Sequence, residues 1–137
     1  MSHQVSTVYN GKMYFSSQIG PHEVKMDVAE AEGGQDSAPG PKKLMLASLT
    51  GCTAVDIVSI LNKMKVDFSG FSIDAVASLT EDHPKIYDRV NLTYKIKLAE
   101  DDRPKMEKAI KLSEEKYCGV MAMFRAFATV DTTVEYL

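Results

Sequence analysis

The chain has 137 residues, 45% of them apolar and 26% charged, and a net charge of −3. That suits one domain with its own core, residues 1–137, and is too short for two ordinary ones. The acidic balance excludes the clustered basic surface of a nucleic-acid partner, and residues 1–14 are polar with no apolar leader, so the expected compartment is the cytoplasm.

Taken in chain order, the first 28 residues read as three short strands. Val5–Tyr9 and residues 13–17 flank Asn10-Gly11, a strong hairpin signal. A second turn at Gly20-Pro21 leads into residues 23–28, where Val24, Met26 and Val28 alternate with charged side chains, so one face is expected to be buried. His22 shares that face and is expected to point inward, as a satisfied core histidine or as a base. Residues 29–41, rich in Gly, Pro, Ser and acids, form a loop long enough to be mobile or to serve a site.

Pro41 is a natural first helical residue, and the chain then runs to residue 67 with Gly51 as its one breaker. At 100° per residue, residues 44–64 place apolar side chains all round the cylinder, so this helix needs cover on every side. Some 25 residues span about 37 Å, roughly the diameter of a compact monomer of this size. A helix that long and that apolar predicts a second chain as part of its cover, hence a homodimer. A membrane span is the competing reading of residues 44–61, but Asp56, Gly51 and four hydroxyl residues make it expensive, and no membrane is expected.

Beyond Gly70, residues 71–79 and 90–98 alternate as strands, with His83-Pro84 between them. Asp101-Asp102 and Pro104 open an amphipathic helix expected to run through Tyr117. Cys118-Gly119 breaks it, residues 120–127 suggest a second short helix, and residues 128–137 close the chain as a β-branched strand. The order βββ, long helix, ββ, helix pair, β is α+β.

Cys52 and Cys118 lie 66 positions apart. Isolated cytosolic thiols are poor candidates for a structural disulfide. With no CxxC and with His3, His22 and His83 remote in sequence, no metal or other cofactor is expected. They are either inert core thiols or a reactive pair. On the long helix Ser48, Cys52, Asp56 and Ser59 fall within about 80° of one another, a polar stripe that either bonds back to its own helix or floors a pocket with Cys52 exposed in it. Asp56, one turn on, opposes a thiolate at Cys52, and Lys42 and Lys43 are more than two turns earlier. Cys118 is better placed, at a helix start whose free N–H groups favour an anion. Met45, Met64, Met121 and Met123 suit either plain core or an adaptable apolar cavity.

Residues 41–61, PKKLMLASLTGCTAVDIVSIL, resemble the helix signature of the OsmC/Ohr superfamily: a Pro, a polar pair, Leu, and a cysteine eleven residues after the Pro. Residues 116–124, KYCGVMAMF, resemble the segment around that family's second cysteine, where Pro more often stands than Gly119. The element order suits the family over the whole chain. The resemblance implies an OsmC-like fold in an intertwined homodimer with sites at the subunit interface. It also implies a peroxidatic Cys52 that attacks an organic hydroperoxide, and a resolving Cys118 that closes a disulfide for a dithiol to reduce.

Two departures stand out. Peroxidase members draw an Arg from the N-terminal strands, whereas the first Arg here is Arg89; they place a Glu just after the motif Pro, where this chain has Lys42 and Lys43. The CTAVDIVSIL variant, with Gly20, His22, Met26 and Asp27, is most similar to the YhfA-like branch, which keeps both cysteines without the Arg–Glu pair. The reading is therefore a two-cysteine redox protein acting on a hydroperoxide, with Lys42, Lys43 and His22 as replacement polar groups and Ser48 and Asp56 in the binding stripe. Its alternative is a binding or redox-sensing module that holds an apolar ligand in the dimer-interface pocket.

Overall fold

Asn10-Gly11 does turn the chain, but through a longer loop than a two-residue hairpin. Gly11 and Lys12 both take positive φ, 101° and 54°, and Asn10 N–H reaches the Tyr14 carbonyl at 2.8 Å. Met13 and Tyr14 are thereby left out of the ladder. Strand β1 (Val5–Tyr9) stands as expected, whereas β2 (Phe15–Ile19) begins two residues later than the alternation suggests. At Gly20, φ 57°, a two-residue turn leads straight into β3 (His22–Met26). The three strands form an antiparallel sheet in the order β1-β2-β3.

β3 stops at Met26 because Asp27 is withdrawn from the ladder to anchor the following loop. Its carboxylate is buried, 2% exposed. It accepts N–H bonds from Val28 at 2.7 Å, Gln35 at 3.3 Å and Ser37 at 3.1 Å, and the Ser37 hydroxyl at 2.6 Å. Segment 29–41, expected to be loose or to serve a site, is pinned to this one side chain and carries a 3-10 turn at Glu30–Glu32. A Cβ at Gly34 would collide with the Val28 carbonyl oxygen and stand 2.6 Å from Asp27 Oδ1, so this hub requires glycine there.

The computed structural model describes residues 1–137 and divides into two compact units, Met1–Leu46 and Ala47–Leu137. The boundary falls inside helix α1 (Pro41–Lys63). In the first unit no apolar side chain is buried; Ser17, on β2, is, and bonds Thr7 at 2.7 Å. All the buried apolar residues belong to the second unit.

There, β4 (Phe68–Leu79), β5 (Tyr87–Leu98) and β6 (Thr129–Tyr136) make a sheet in that order, β4-β5 antiparallel and β5-β6 parallel. β4 starts earlier than expected because Gly70, at φ 62°, carries an irregularity between Ser69 and Ser72. β5 is central and sends Val90, Leu92, Tyr94 and Ile96 into the core. A parallel β6 requires a crossover, supplied by α2 (Arg103–Leu112) and α3 (Gly119–Arg125). The amphipathic helix expected through Tyr117 ends at Leu112 and gives way to a π turn, Ser113–Tyr117, closed by Cys118 N–H on the Ser113 carbonyl at 2.8 Å.

α1 buries one stripe, Leu49, Thr53, Ile57 and Leu61, at a spacing of one turn. Its opposite side lies open, with Val55 69% exposed. Cover on every side is therefore not achieved within the second unit itself. By length and composition α1 is also one helix apolar enough to cross a membrane, yet its Leu49–Leu61 stripe contributes to the core of the second unit. The methionines do not line one cavity: Met121 is core, Met45 and Met123 are exposed, and Met64 is half-buried.

Candidate functional site

The second unit brings both cysteines together. Cys52 lies on α1 with Asp56 one turn on, and Cys118 is the N-cap of α3. Cys52 Sγ, Cys118 Sγ and a carboxylate oxygen of Asp56 all fall within 4.8 Å of one another. Both thiols are free; Cys52 is half-buried and Cys118 buried, so the pair has an outer and an inner sulfur.

The inner sulfur is held from two sides. Met121 N–H reaches Cys118 Sγ at 3.3 Å, and Thr53 Oγ1 stands 3.6 Å from it while donating its own proton to the Leu49 carbonyl at 2.9 Å. The expectation that the helix start favours an anion at Cys118 is overturned. Burial, and then the neighbouring Cys52 thiol, push Cys118 up from the ordinary value, against the opposing pull of the Thr53 hydroxyl and Met121 N–H. A seven-residue helix contributes only that last N–H, and desolvation of the thiolate outweighs it.

Asp56 is oriented by the buried Ser113, whose hydroxyl donates to Oδ2 at 3.0 Å. The π turn makes this possible by widening the helix just where Ser113 faces α1. The same turn presents Glu114, which accepts from Tyr94 Oη at 3.0 Å and from Arg125 Nη2 at 3.4 Å. Burial, then the Glu114 carboxylate, hold the Tyr94 phenol well above its usual range. Thr53, Ser113, Tyr94, Glu114 and Arg125 went unnoticed in the sequence. Of these, only Thr53 carried a signal: it follows Cys52 on a helix face that is otherwise aliphatic.

The other expected site residues are exposed, each within its own unit. Ser48 and Ser59 are exposed on α1, with Cys52 and Asp56 as the inward members of the stripe. Lys42 and Lys43 are exposed in the first turn of α1. His22 is exposed rather than inward, because it sits at the mouth of the Gly20-Pro21 turn opposite Ile19. Beside Asp56 runs a groove of about 370 Å³, lined by Ile60, Met64 and Tyr117 with Lys63 and Lys108 at its margins.

Residues 34–133 match the sequence model of OsmC-like proteins, a span that crosses the boundary between the two units. The protein YhfA of Escherichia coli K12 is 26% identical over 125 residues, 91% of this chain and 90% of its own. A hypothetical protein from Aquifex aeolicus VF5 superposes with a TM-score of 0.81 at 26% identity, covering 100% of this chain and 98% of that one. An organic hydroperoxide resistance protein OsmC from Legionella pneumophila shares the fold at 16% identity and a TM-score of 0.70, over 98% of this chain and 97% of its own. With the family model covering most of the chain and the α+β element order in agreement, this protein belongs to the OsmC-like family.

Proposed function

We propose that the protein is a two-cysteine thiol peroxidase for organic hydroperoxides, with Cys52 peroxidatic and Cys118 resolving. The observation that carries this reading is the meeting of two free thiols, distant in sequence, within 4.8 Å. The more open sulfur, Cys52, is the one a peroxide reaches. Its thiolate attacks the O–O bond, the alkoxide leaves as alcohol with a proton, and Cys52 becomes a sulfenic acid. Cys118 then attacks the Cys52 sulfur; its thiol proton and the sulfenic hydroxyl leave as water, and the disulfide forms. A dithiol reductant restores both thiols by exchange.

The Legionella neighbour, named for organic hydroperoxide resistance, supports this chemistry by analogy of fold. In place of the Arg and Glu of peroxidase members, Lys42, Lys43 and His22 are the proposed sources of positive charge and of a base, reaching the site in a homodimer. Two features support that dimer: the apolar face of α1 around Val55, and a first unit that buries no apolar side chain of its own. We read residues 1–137 as a single OsmC-like domain, cytoplasmic, with neither nucleic acid nor membrane as a partner.

The test is turnover of cumene hydroperoxide with dihydrolipoamide as reductant. Cys52→Ser is expected to lower the rate by at least about 10³-fold, as removal of a nucleophile does. A rate that survives this substitution overturns the assignment. In the same assay, Lys42→Ala, Lys43→Ala and His22→Ala each assign a role by a loss of roughly tenfold; an unchanged rate removes that residue from the site. The groove beside Asp56 favours a second reading, a module that binds an apolar ligand with an anionic group facing Lys63 and Lys108. Saturable binding of a fluorescent fatty acid without peroxide turnover would transfer the function to that groove.

A further inference from the structure

The cluster that brings the thiols together contains a third donor that the peroxidase reading does not use. Asp56 lies four residues after Cys52 on α1, the spacing that puts two side chains on one helix face, one above the other. Cys118 meets them from the start of α3, so three donors from two elements converge on one point. A tetrahedral Zn²⁺ bound at about 2.3 Å by each of two sulfurs holds them roughly 3.8 Å apart. The observed upper bound of 4.8 Å is within a side-chain adjustment of that separation.

The surroundings of the donors fit a metal centre as well. Ligands in such sites are oriented by hydrogen bonds from a surrounding shell. Here the Ser113 hydroxyl orients the Asp56 carboxylate through Oδ2. Met121 N–H donates to the Cys118 sulfur. The absence of CxxC and of a nearby histidine in sequence hides this set, because its members come from positions 52, 56 and 118.

We propose that reduced Cys52, Asp56 and Cys118 form a three-donor site for a thiophilic divalent cation, Zn²⁺ above all, with the fourth position on the half-buried side of Cys52 and Asp56. Two thiolates and a carboxylate suit Zn²⁺ over the hard cations Mg²⁺ and Ca²⁺. The site uses the same sulfurs as the peroxidase reading but does not rest on it, since metal binding needs no peroxide. Metal and disulfide exclude each other. When an organic hydroperoxide oxidises the loaded site, the two thiolates give two electrons to the O–O bond. With two protons it leaves as alcohol and water, the sulfurs join, and one Zn²⁺ is released.

The experiment is anaerobic titration of the reduced protein with Co²⁺, then displacement by Zn²⁺. One equivalent per chain is expected, with a sulfur-to-cobalt charge-transfer band that Zn²⁺ abolishes. Cys52→Ser and Asp56→Asn each weaken Co²⁺ binding by at least about tenfold. Cys52 is half-buried and Asn retains the Ser113 bond, so both variants test the site even where Cys118→Ser fails to fold. Absence of the band, or undiminished binding in Asp56→Asn, overturns the proposal and leaves peroxide turnover untouched. On the Zn²⁺-loaded protein, cumene hydroperoxide should release one Zn²⁺ per disulfide, read with a chromophoric chelator. A disulfide formed with Zn²⁺ retained would contradict the shared-sulfur site.

Discussion

Asp27 shows what a single buried carboxylate does for a thirteen-residue loop. The Ser37 hydroxyl, and with it the N–H groups of Val28, Ser37 and Gln35, hold its carboxyl below the ordinary value of 3.8, against the opposing push of burial. Because the folded value is depressed, the stability it contributes is present above the ordinary value and lost as pH falls through the folded one. Asp27→Asn should therefore lower the urea midpoint at about pH 7, with the gap to wild type narrowing as pH falls below the ordinary carboxylate value of 3.8. A gap that stays constant over that range would show that the carboxylate's charge is not what holds the loop. None of this was legible in the sequence. Burial of a short acid at a strand end depends on where the loop closes, and the hub is completed by Gly34, Gln35 and Ser37, seven to ten residues on. Cys118 teaches a related lesson: its place at a helix start was readable, but the desolvation that reverses its consequence was not.

At the scale of elements, α1 was the most legible part of the chain. Pro41 set its start, and the unbroken apolar run set its length. Which side faces the core was not readable, because a cylinder apolar all round has no preferred face until its neighbours are in place. The structure resolves this to Leu49, Thr53, Ile57 and Leu61, and it yields a paired prediction. Ile57→Ala or Leu61→Ala should cost about 2–5 kcal/mol in chemical denaturation. Val55→Asp, on the open side, should leave the circular dichroism of the fold intact while converting a dimer to monomers in sedimentation. A monomeric wild type, or a Val55→Asp variant that stays dimeric, would remove α1 from the interface. The π turn at Ser113–Tyr117 was invisible because no residue type marks it, yet it is what aims Ser113 at Asp56 and Glu114 at Tyr94 and Arg125.

For the whole molecule, the α+β order of strands and helices followed from periodicity and breakers. The family followed from two short segments around the cysteines, and residues 34–133 carry that family's pattern. The convergence of Cys52 and Cys118 was legible only through that resemblance, since 65 intervening residues, with two strands and the crossover helix α2 among them, separate them. In the structure the two sulfurs share one small site with an oriented carboxylate, and the account of function depends on their reacting with each other. The most direct test treats the reduced protein with cumene hydroperoxide, blocks remaining thiols and measures the intact mass. The account predicts loss of two hydrogens per chain, a Cys52–Cys118 disulfide by peptide mapping, and no such product in Cys52→Ser. Two blocked thiols after excess peroxide would contradict it, and would mean that this chain holds the family's fold without its redox pair.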